Sequence, residues 1–413
     1  MNEPKIRFKG FQGEWEETTL GEISTSYNYG INAAAIQYDG TNKYLRITDI
    51  DENTRMFSQE DLTSPGTDLS CYNEYLLNDG DITIARTGAS VGKSYIYHLS
   101  DGKVYFAGFL IRTRLNENVD KDYVFYSTLT DKYAKYIRLV SQRSGQPGVN
   151  VEELKGYTFN LPCDKAEQQS IASYFQHLDA LIQSTTKKIE SLKQVKAASL
   201  QSMFPQEGET TPRVRFKGFE GEWKKVKFGE IAIISRGLTY APFNLRDKGV
   251  RVLRSSNINE DVFVISENDV FVNEECINIE YAEEGNILVT AANGSPRLVG
   301  KHAIINNIGT NTTVVGGFML LISSNESAFL NASMSSSWYS KFLKVGVAGG
   351  NGAIGNLSKQ ELEDTELLIP NKKDERNYIA SYFTNLDRQI TLHTQRLEKL
   401  KQIKAACLDK MFV

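Results

Sequence analysis

Two segments of the sequence combine basic, hydroxyl and amide side chains at the turn between two predicted strands. The first, ITIARTGASVGKSYIY, carries Arg86, Thr87 and Lys93. The second, ILVTAANGSPRLVGKHAII, carries Asn293, Arg297 and Lys301. Guanidinium and amide groups can bond bidentately to guanine and adenine, whereas Lys and Thr suit phosphates. These side chains are therefore candidate DNA contacts, although a solvated hairpin without a ligand would show the same pattern.

A basic helix leading into a glycine-rich loop follows each of these hairpins. The first such region contributes the candidates Arg143 and Gln146, and the second contributes Lys344 and Asn351. Because glycine lets a backbone approach a phosphate closely, we expect further DNA contacts there. A basic helix face beside a simple turn is the alternative interpretation.

The sequence does not contain the motifs of catalytic, nucleotide or metal sites. The segment 88–94, GASVGKS, resembles a P-loop, but Thr87 stands where the first glycine is required and a strand follows the lysine. The four histidines are not at metal-ligand spacing. We therefore expect no catalytic residue, no metal site and no cofactor bound by this chain.

An internal duplication determines how these candidates must be positioned. Residues 7–23 and 215–231 are identical at 11 of 17 positions, with an offset of 208 (215 minus 7). Residues 171–204 and 379–412 have the same offset and are identical at 19 of 34 positions. The segments between them are much less alike. Two similar frames therefore hold two divergent inserts, and the inserts are where functional differences should lie.

The second repeated segment has the periodicity of a long helix in both copies. Apolar residues recur at alternating steps of four and three over about three heptads. The predicted seam consists of Leu178, Ile182, Ile189, Leu192, Leu386, Ile390, Leu397 and Leu400. Since neither helix can bury its seam alone, we expect the two to pack on each other as an antiparallel coiled coil.

The inserts themselves have mixed patterns. Runs such as 81–85, 106–115 and 317–322 look like strands bounded by turn residues, and 123–139 and 328–345 look helical. The predicted class is α+β, with two mixed α/β domains joined by two long helices and related by a pseudo-two-fold duplication. The predicted boundaries are 1–165, 166–206, 207–372 and 373–413.

Length and composition are those of an ordinary globular protein with more than one core. The chain has 413 residues, a formal net charge of −4 and no apolar run long enough to cross a bilayer. Its four cysteines are scattered, which favours reduced thiols and a cytoplasmic location. The net charge argues weakly against wholesale nucleic-acid binding but leaves a local basic surface open.

The whole chain, over essentially residues 5–413, resembles the specificity (S) subunit of a type I restriction–modification system. The resemblance rests on two RFKGF-[QE]-GEW openings, two E-x-x-x-IASYF…LD…I…L-K-Q-[VI]-KAA-x-L…MF helices and two divergent inserts that end in NLP and LIP. Each piece alone is weak, but the same order twice in one chain is specific.

The resemblance implies that the inserts are target recognition domains, each reading one half of a split double-stranded DNA sequence. It implies that the helices set the spacer between the half-sites and recruit two modification subunits, which methylate adenine with S-adenosylmethionine. Restriction subunits that use ATP and Mg would join the complex. The subunit itself would be non-catalytic.

Two other readings stay open at the level of sequence. A DNA-binding enzyme acting alone would need a catalytic motif, which we do not find. A protein-binding adaptor, with two bodies on a coiled-coil rod and no DNA contact, would have the same duplication.

Overall fold

The computed structural model describes residues 3–143, 145–346 and 356–413. The chain divides into two compact units. Unit 1 comprises Met1–Lys187 and Gln395–Val413, and unit 2 comprises Lys188–Thr394. Each unit therefore contains one body, the beginning of the long helix that follows it and the end of the other long helix.

The described part of unit 1 is a mixed α/β body. Its strands are β1 (Glu16–Thr19), β2 (Ser24–Tyr29), β3 (Ala35–Gln37), β4 (Lys43–Leu45), β5 (Thr63–Pro65), β6 (Ile82–Ala85), β7 (Ser94–Ile96), β8 (Val104–Phe106), β9 (Leu110–Leu115) and β10 (Thr158–Leu161). Its helices are α1 (Lys121–Ser127), α2 (Asp131–Val140), α3 (Val151–Lys155) and the start of α4 (Lys165–Met203).

An antiparallel four-stranded sheet in the order β2-β9-β6-β7 forms the centre of unit 1. All four residues of β6 are buried because both faces of the sheet are covered. Ile82 and Ile84 pack into one apolar cluster, whereas Ala85 packs into a second cluster on the other face. β4 and β8 pair in parallel, which is an exception to the largely antiparallel arrangement.

The described part of unit 2 repeats this plan. Its strands are β11 (Lys224–Lys227), β12 (Ile233–Arg236), β13 (Leu245–Arg246), β14 (Val250–Leu253), β15 (Ile258–Asn259), β16 (Val262–Phe263), β17 (Val270–Val272), β18 (Ile287–Thr290), β19 (His302–Ile304), β20 (Thr313–Val315), β21 (Met319–Ser323) and β22 (Glu366–Ile369). Its helices are α5 (Ser327–Met334), α6 (Ser337–Gly346), α7 (Lys359–Asp364) and α8 (Lys373–Met411).

The central sheet of unit 2 is antiparallel, in the order β12-β21-β18-β19. Ile287 and Val289 of β18 face one apolar cluster, and Leu288 faces another. A second sheet, in the order β13-β17-β14-β20, has a parallel pair between β14 and β20. The predicted α+β class, with two copies of one mixed body, is confirmed.

Three predicted elements are interrupted in the structure. The strand expected over 106–115 turns at residues 107–109, where the Leu110 N–H donates to the Ala107 carbonyl at 2.9 Å. The helix expected over 123–139 is two helices, because the Thr130 hydroxyl caps α2. The helix expected over 328–345 likewise divides into α5 and α6. Apolar periodicity continued across these breaks, so the sequence pattern alone concealed them.

The two long helices pair in antiparallel fashion inside unit 1. The Lys404 ammonium donates to Asp179 at 2.6 Å, and the Tyr174 hydroxyl lies 3.4 Å from the Cys407 thiol. Residue numbers therefore rise along α4 in the direction in which they fall along α8, so the two helices run antiparallel. The predicted seam residues Leu178 and Ile182 are buried, and Leu397 and Leu400 are half-buried.

Unit 2 contains the equivalent pairing. The Lys196 ammonium lies 2.6 Å from Asp387, and the Ser199 and Tyr382 hydroxyls are 2.8 Å apart. Of the remaining seam residues, Ile189 is buried and Leu192, Leu386 and Ile390 are half-buried. The antiparallel coiled-coil prediction is confirmed.

A buried ion pair explains why the two repeated motifs stay together. Arg7 of the first RFKGF opening donates to both oxygens of Glu167, at 2.7 and 2.8 Å, and this bonding raises the pKa of Arg7. Arg215 holds Glu375 in the same way, at 2.6 and 2.8 Å. Each opening is therefore fixed to the first turns of the long helix that follows its body.

Candidate nucleic-acid interface

The first predicted hairpin closes as expected between β6 and β7. The Gly92 N–H donates to the Ala85 carbonyl at 2.8 Å, and Gly92 has a φ of +83°, which favours glycine. The loop that begins at Arg86 is also joined to the glycine-rich segment. The Gly88 N–H donates to the Pro147 carbonyl at 3.0 Å, and the Val149 N–H donates to the Arg86 carbonyl at 2.8 Å. Two regions far apart in sequence therefore form one edge of unit 1.

Two aromatic residues contact Arg86 at this edge, one through its ring and one through its backbone. Its guanidinium carbon lies 4.6 Å from the centre of the Tyr29 ring, a cation–π distance. Its backbone N–H donates to the Phe109 carbonyl at 3.0 Å, and the Phe109 side chain is 60% exposed. The Gln146 amide nitrogen lies next to Gly88, about 3.0 Å from where a β-carbon would stand.

We call this edge surface 1 and define it as Tyr29, Arg86, Thr87, Phe109 and Gln146. The structure thus brings together three of the candidates predicted from the first insert. Their groups can read base edges, since Arg suits guanine, Gln suits adenine and Thr can bond to either bases or phosphates.

The prediction for Lys93 needs correction. Its side chain is 5% exposed, and its ammonium pairs with Glu52 and donates to the Ile50 carbonyl at 3.0 Å. A buried, paired ammonium is not available to a phosphate, so Lys93 is removed from the candidate set. Arg143 is exposed, but it pairs with Glu153 and donates to the Val140 carbonyl at 2.8 Å.

The hairpin between β18 and β19 has the same closing contacts in unit 2. The Gly300 N–H donates to the Thr290 carbonyl at 2.8 Å, and the Ala291 N–H donates to the Phe318 carbonyl at 2.9 Å. Ala291 therefore occupies the position of Arg86, and Phe318, 74% exposed, occupies that of Phe109.

Different polar groups surround Phe318. Arg236 ends β12, is exposed and pairs with Leu320, two residues beyond Phe318. The exposed Arg254 has its γ-carbon 3.8 Å from where a β-carbon on Gly316 would stand, beside the same turn. The Asn293 amide donates to the Ser255 hydroxyl at 3.0 Å. We call this edge surface 2 and define it as Arg236, Arg254, Asn293 and Phe318.

The other candidates of the second insert are scattered. Arg297 is exposed, four residues beyond Asn293 in the same loop, and Lys344 is exposed near the end of α6. Lys301 is half-buried near Glu260, whose pKa is lowered mainly by a hydrogen bond from Lys193 and also by Lys301. Asn351 lies outside the described residues.

Sequence reasoning missed the residues Tyr29, Phe109, Arg236, Arg254 and Phe318. A signal for four of them was present but shifted. Gly30 and Gly237 are 207 apart (237 minus 30), whereas Gly108 and Gly317 are 209 apart (317 minus 108). A comparison of the two copies at the fixed offset of 208 therefore misses two correspondences. Tyr29 corresponds to Arg236, and Phe109 corresponds to Phe318.

Within the described residues, no group of three or more His, Cys, Asp or Glu side chains could hold a metal ion. In the same part of the chain, no helix is long and apolar enough to span a membrane. The expectation that the chain binds no cofactor stays a prediction.

The model of the type I restriction modification DNA specificity domain matches the chain twice, over residues 12–194 and 220–402. The chain belongs to this family. The resemblance to type I specificity subunits is therefore confirmed, as is the expectation that the chain is a non-catalytic subunit for DNA sequence recognition.

Two specificity subunits of Methanocaldococcus jannaschii are similar to the chain. The MjaVIII type I restriction enzyme specificity subunit is 24% identical over 193 residues, which cover 45% of this chain and 43% of that protein. The MjaX specificity subunit is 21% identical over 349 residues, which cover 81% of this chain and 78% of that protein.

A solved structure has the same fold. The crystal structure of a type I restriction–modification S subunit from M. genitalium aligns with a TM-score of 0.70 and 14% identity. The alignment covers 100% of this chain and 99% of that one.

Proposed function

We propose that units 1 and 2 each read one half of a bipartite, asymmetric double-stranded DNA sequence through surfaces 1 and 2. The observation that carries the proposal is one backbone arrangement that presents different side chains. The turn contacts of Arg86 and Ala291 are equivalent, yet one surface offers Arg86 and Gln146 and the other offers Arg236 and Asn293.

The chemistry of the two sets supports unequal half-sites. Arg86 and Gln146 can each make two hydrogen bonds to one purine edge in the major groove. In surface 2, Arg236 and Arg254 suit guanines or phosphates, and Asn293 suits adenine. Because the groups differ in number and kind, the two halves of the target should differ in sequence.

The long helices are proposed to set the spacer between the half-sites and to recruit two modification subunits on their outer faces. Each has 39 residues, or about 58 Å at 1.5 Å per residue. Half-sites read from one face of B-DNA lie about 34–36 Å apart, which such helices can span.

The complex is proposed to methylate adenine with S-adenosylmethionine bound by the modification subunits. Restriction subunits would add cleavage that depends on ATP and Mg. Since the proposed ligand is genomic DNA, we propose a cytoplasmic location.

Binding by the chain together with its modification subunit tests this function. We expect an electrophoretic shift that selects particular sequences from a random-sequence duplex pool. A complex that forms but shows no sequence-selective shift would favour the protein-binding adaptor and contradict the proposal.

A matched pair of variants tests surface 1. Arg86→Ala should lower discrimination in one half-site about 5- to 150-fold, because a bidentate base contact contributes about 1–3 kcal/mol. Lys103→Ala is the control, because it also removes one positive charge. Lys103 precedes β8, whereas Phe109 of surface 1 follows the other end of β8, so this substitution should leave discrimination unchanged. Equal effects of the two substitutions would contradict the assignment of surface 1.

A further inference from the structure

We propose that Phe109 and Phe318 are specificity residues that each contact the methyl group of a thymine in the major groove, one in each half-site. This inference rests on the proposed function. It adds a base-reading element that is equivalent in the two units, beside the polar groups that differ between them.

The two rings are exposed while their backbones are held. Phe109 is 60% and Phe318 is 74% exposed. Each lies inside a closed turn, since the Leu110 N–H donates to the Ala107 carbonyl at 2.9 Å and the Met319 N–H donates to the Gly316 carbonyl at 2.8 Å. A large apolar side chain on a fixed turn is preorganised to meet a partner, because little backbone freedom remains to be lost on binding.

Close backbone packing holds both turns in place. A β-carbon on Gly30 would stand 2.3 Å from the Ala107 carbonyl oxygen, and one on Gly237 would stand 1.9 Å from that of Gly316. Only glycine permits this approach. The end of β2 or β12 therefore lies against the turn, and the residue before the glycine, Tyr29 or Arg236, ends that strand next to the turn.

The neighbours of each ring determine which partner fits. The Phe109 carbonyl accepts from the Arg86 N–H at the hairpin edge. Arg236 pairs with Leu320, two residues beyond Phe318, and Arg254 lies beside Gly316, two residues before it. An exposed ring on the same edge as arginine residues suits an anionic partner that also displays apolar groups. The major groove of DNA offers this combination, because thymine presents a methyl group next to hydrogen-bonding base edges.

Replacing thymine by uracil tests the contact directly, because it removes only the methyl group. The probe is a duplex with the sequence that methylation mapping returns, in which each thymine is replaced in turn by deoxyuridine. The protein is the full chain in complex with its modification subunit. We expect one replacement in each half-site to weaken binding about fourfold, the effect of losing one buried carbon group.

Variants connect each thymine to one ring. Phe109→Ala should abolish the effect of uracil in one half-site only, and Phe318→Ala should abolish it in the other half-site only. Leu99→Ala and Ile233→Ala are matched controls. Leu99 is 72% exposed and Ile233 is 70% exposed, and each lies at the end of its central sheet that is opposite the phenylalanine. Both controls should bind like the wild type.

Several results would overturn the inference. They are sequence-selective binding with no sensitivity to uracil, half-sites without thymine, and uracil effects that persist in both alanine variants. Loss of assembly with the modification subunit in the alanine variants would assign the rings to a protein contact instead. If the wild-type complex shows no sequence preference, the proposed function fails as well; if preference persists without uracil effects, this inference alone fails.

Discussion

Removing the Arg215 guanidinium would leave the buried Glu375 carboxylate in unit 2 without its partner. The Glu375 side chain is 1% exposed, and both of its oxygens accept from Arg215. Breaking a buried pair on one side costs about 3–5 kcal/mol, because the remaining charge stays desolvated. Arg215→Met, which keeps the aliphatic stem, should therefore destabilise unit 2 by about that amount.

A matched control lies two residues away. Arg213 pairs with Glu209 at 2.9 Å, but its side chain is 66% exposed, so Arg213→Met should cost less than about 1 kcal/mol. The double variant Arg215→Met/Glu375→Met removes both charges and should be more stable than Arg215→Met alone.

Amide hydrogen exchange, read on peptides from β18 and β21, measures the free energy of opening unit 2 without assuming that the whole chain unfolds in one step. The reasoning would be refuted if Arg215→Met and Arg213→Met had similar effects. It would also be refuted if the second substitution made the Arg215→Met variant still less stable.

Three further outcomes are expected. Gly237→Ala should destabilise unit 2, because the new β-carbon would stand 1.9 Å from a carbonyl oxygen. Gly294→Ala is the control and should leave stability unchanged, since no atom lies within 4 Å of its β-carbon position. Similar melting curves for the two variants would contradict this expectation. Burial lowers the pKa of His302 below its ordinary 6.5, so the unfolded state takes up a proton first as pH falls. Denaturation of unit 2 should thus become easier below about pH 6.5, and His302→Gln should flatten this dependence; an unchanged slope would count against it. Inserting one heptad at equivalent places in α4 and α8 should widen the spacer by about three base pairs, since seven helical residues span roughly 10.5 Å. An unchanged spacer in the mapped target would contradict the proposal that the helices set the spacer.

The long helices and the hairpins could be predicted from sequence, because their patterns involve residues close together in the chain and occur in both copies. The seam from Leu178 to Leu400 recurs at helical spacing in two copies, and that periodicity alone predicts burial and pairing. The two strand–turn–strand segments were also predicted from their local sequence pattern. These features depend on residues close together in the chain.

The rest depends on contacts between distant segments. The sequence shows that Lys93 is basic but cannot show that its ammonium forms an ion pair with Glu52. Phe109 lies in a turn that interrupts a segment predicted as one strand, so the exposure of the ring was hidden. Tyr29 meets Arg86 only because β2 and β6 both pair with β9 in the folded sheet.

Mapping methylated adenines in the genome of a methylation-free host tests the central claim most directly. The host would express the modification subunit with this chain, without it, or with residues 24–165 exchanged for another system's insert. We expect methylation only when the chain is present, at an asymmetric sequence split into two halves, and the exchange should change one half alone. Methylation that does not depend on the chain, or an exchange that changes both halves, would contradict the account.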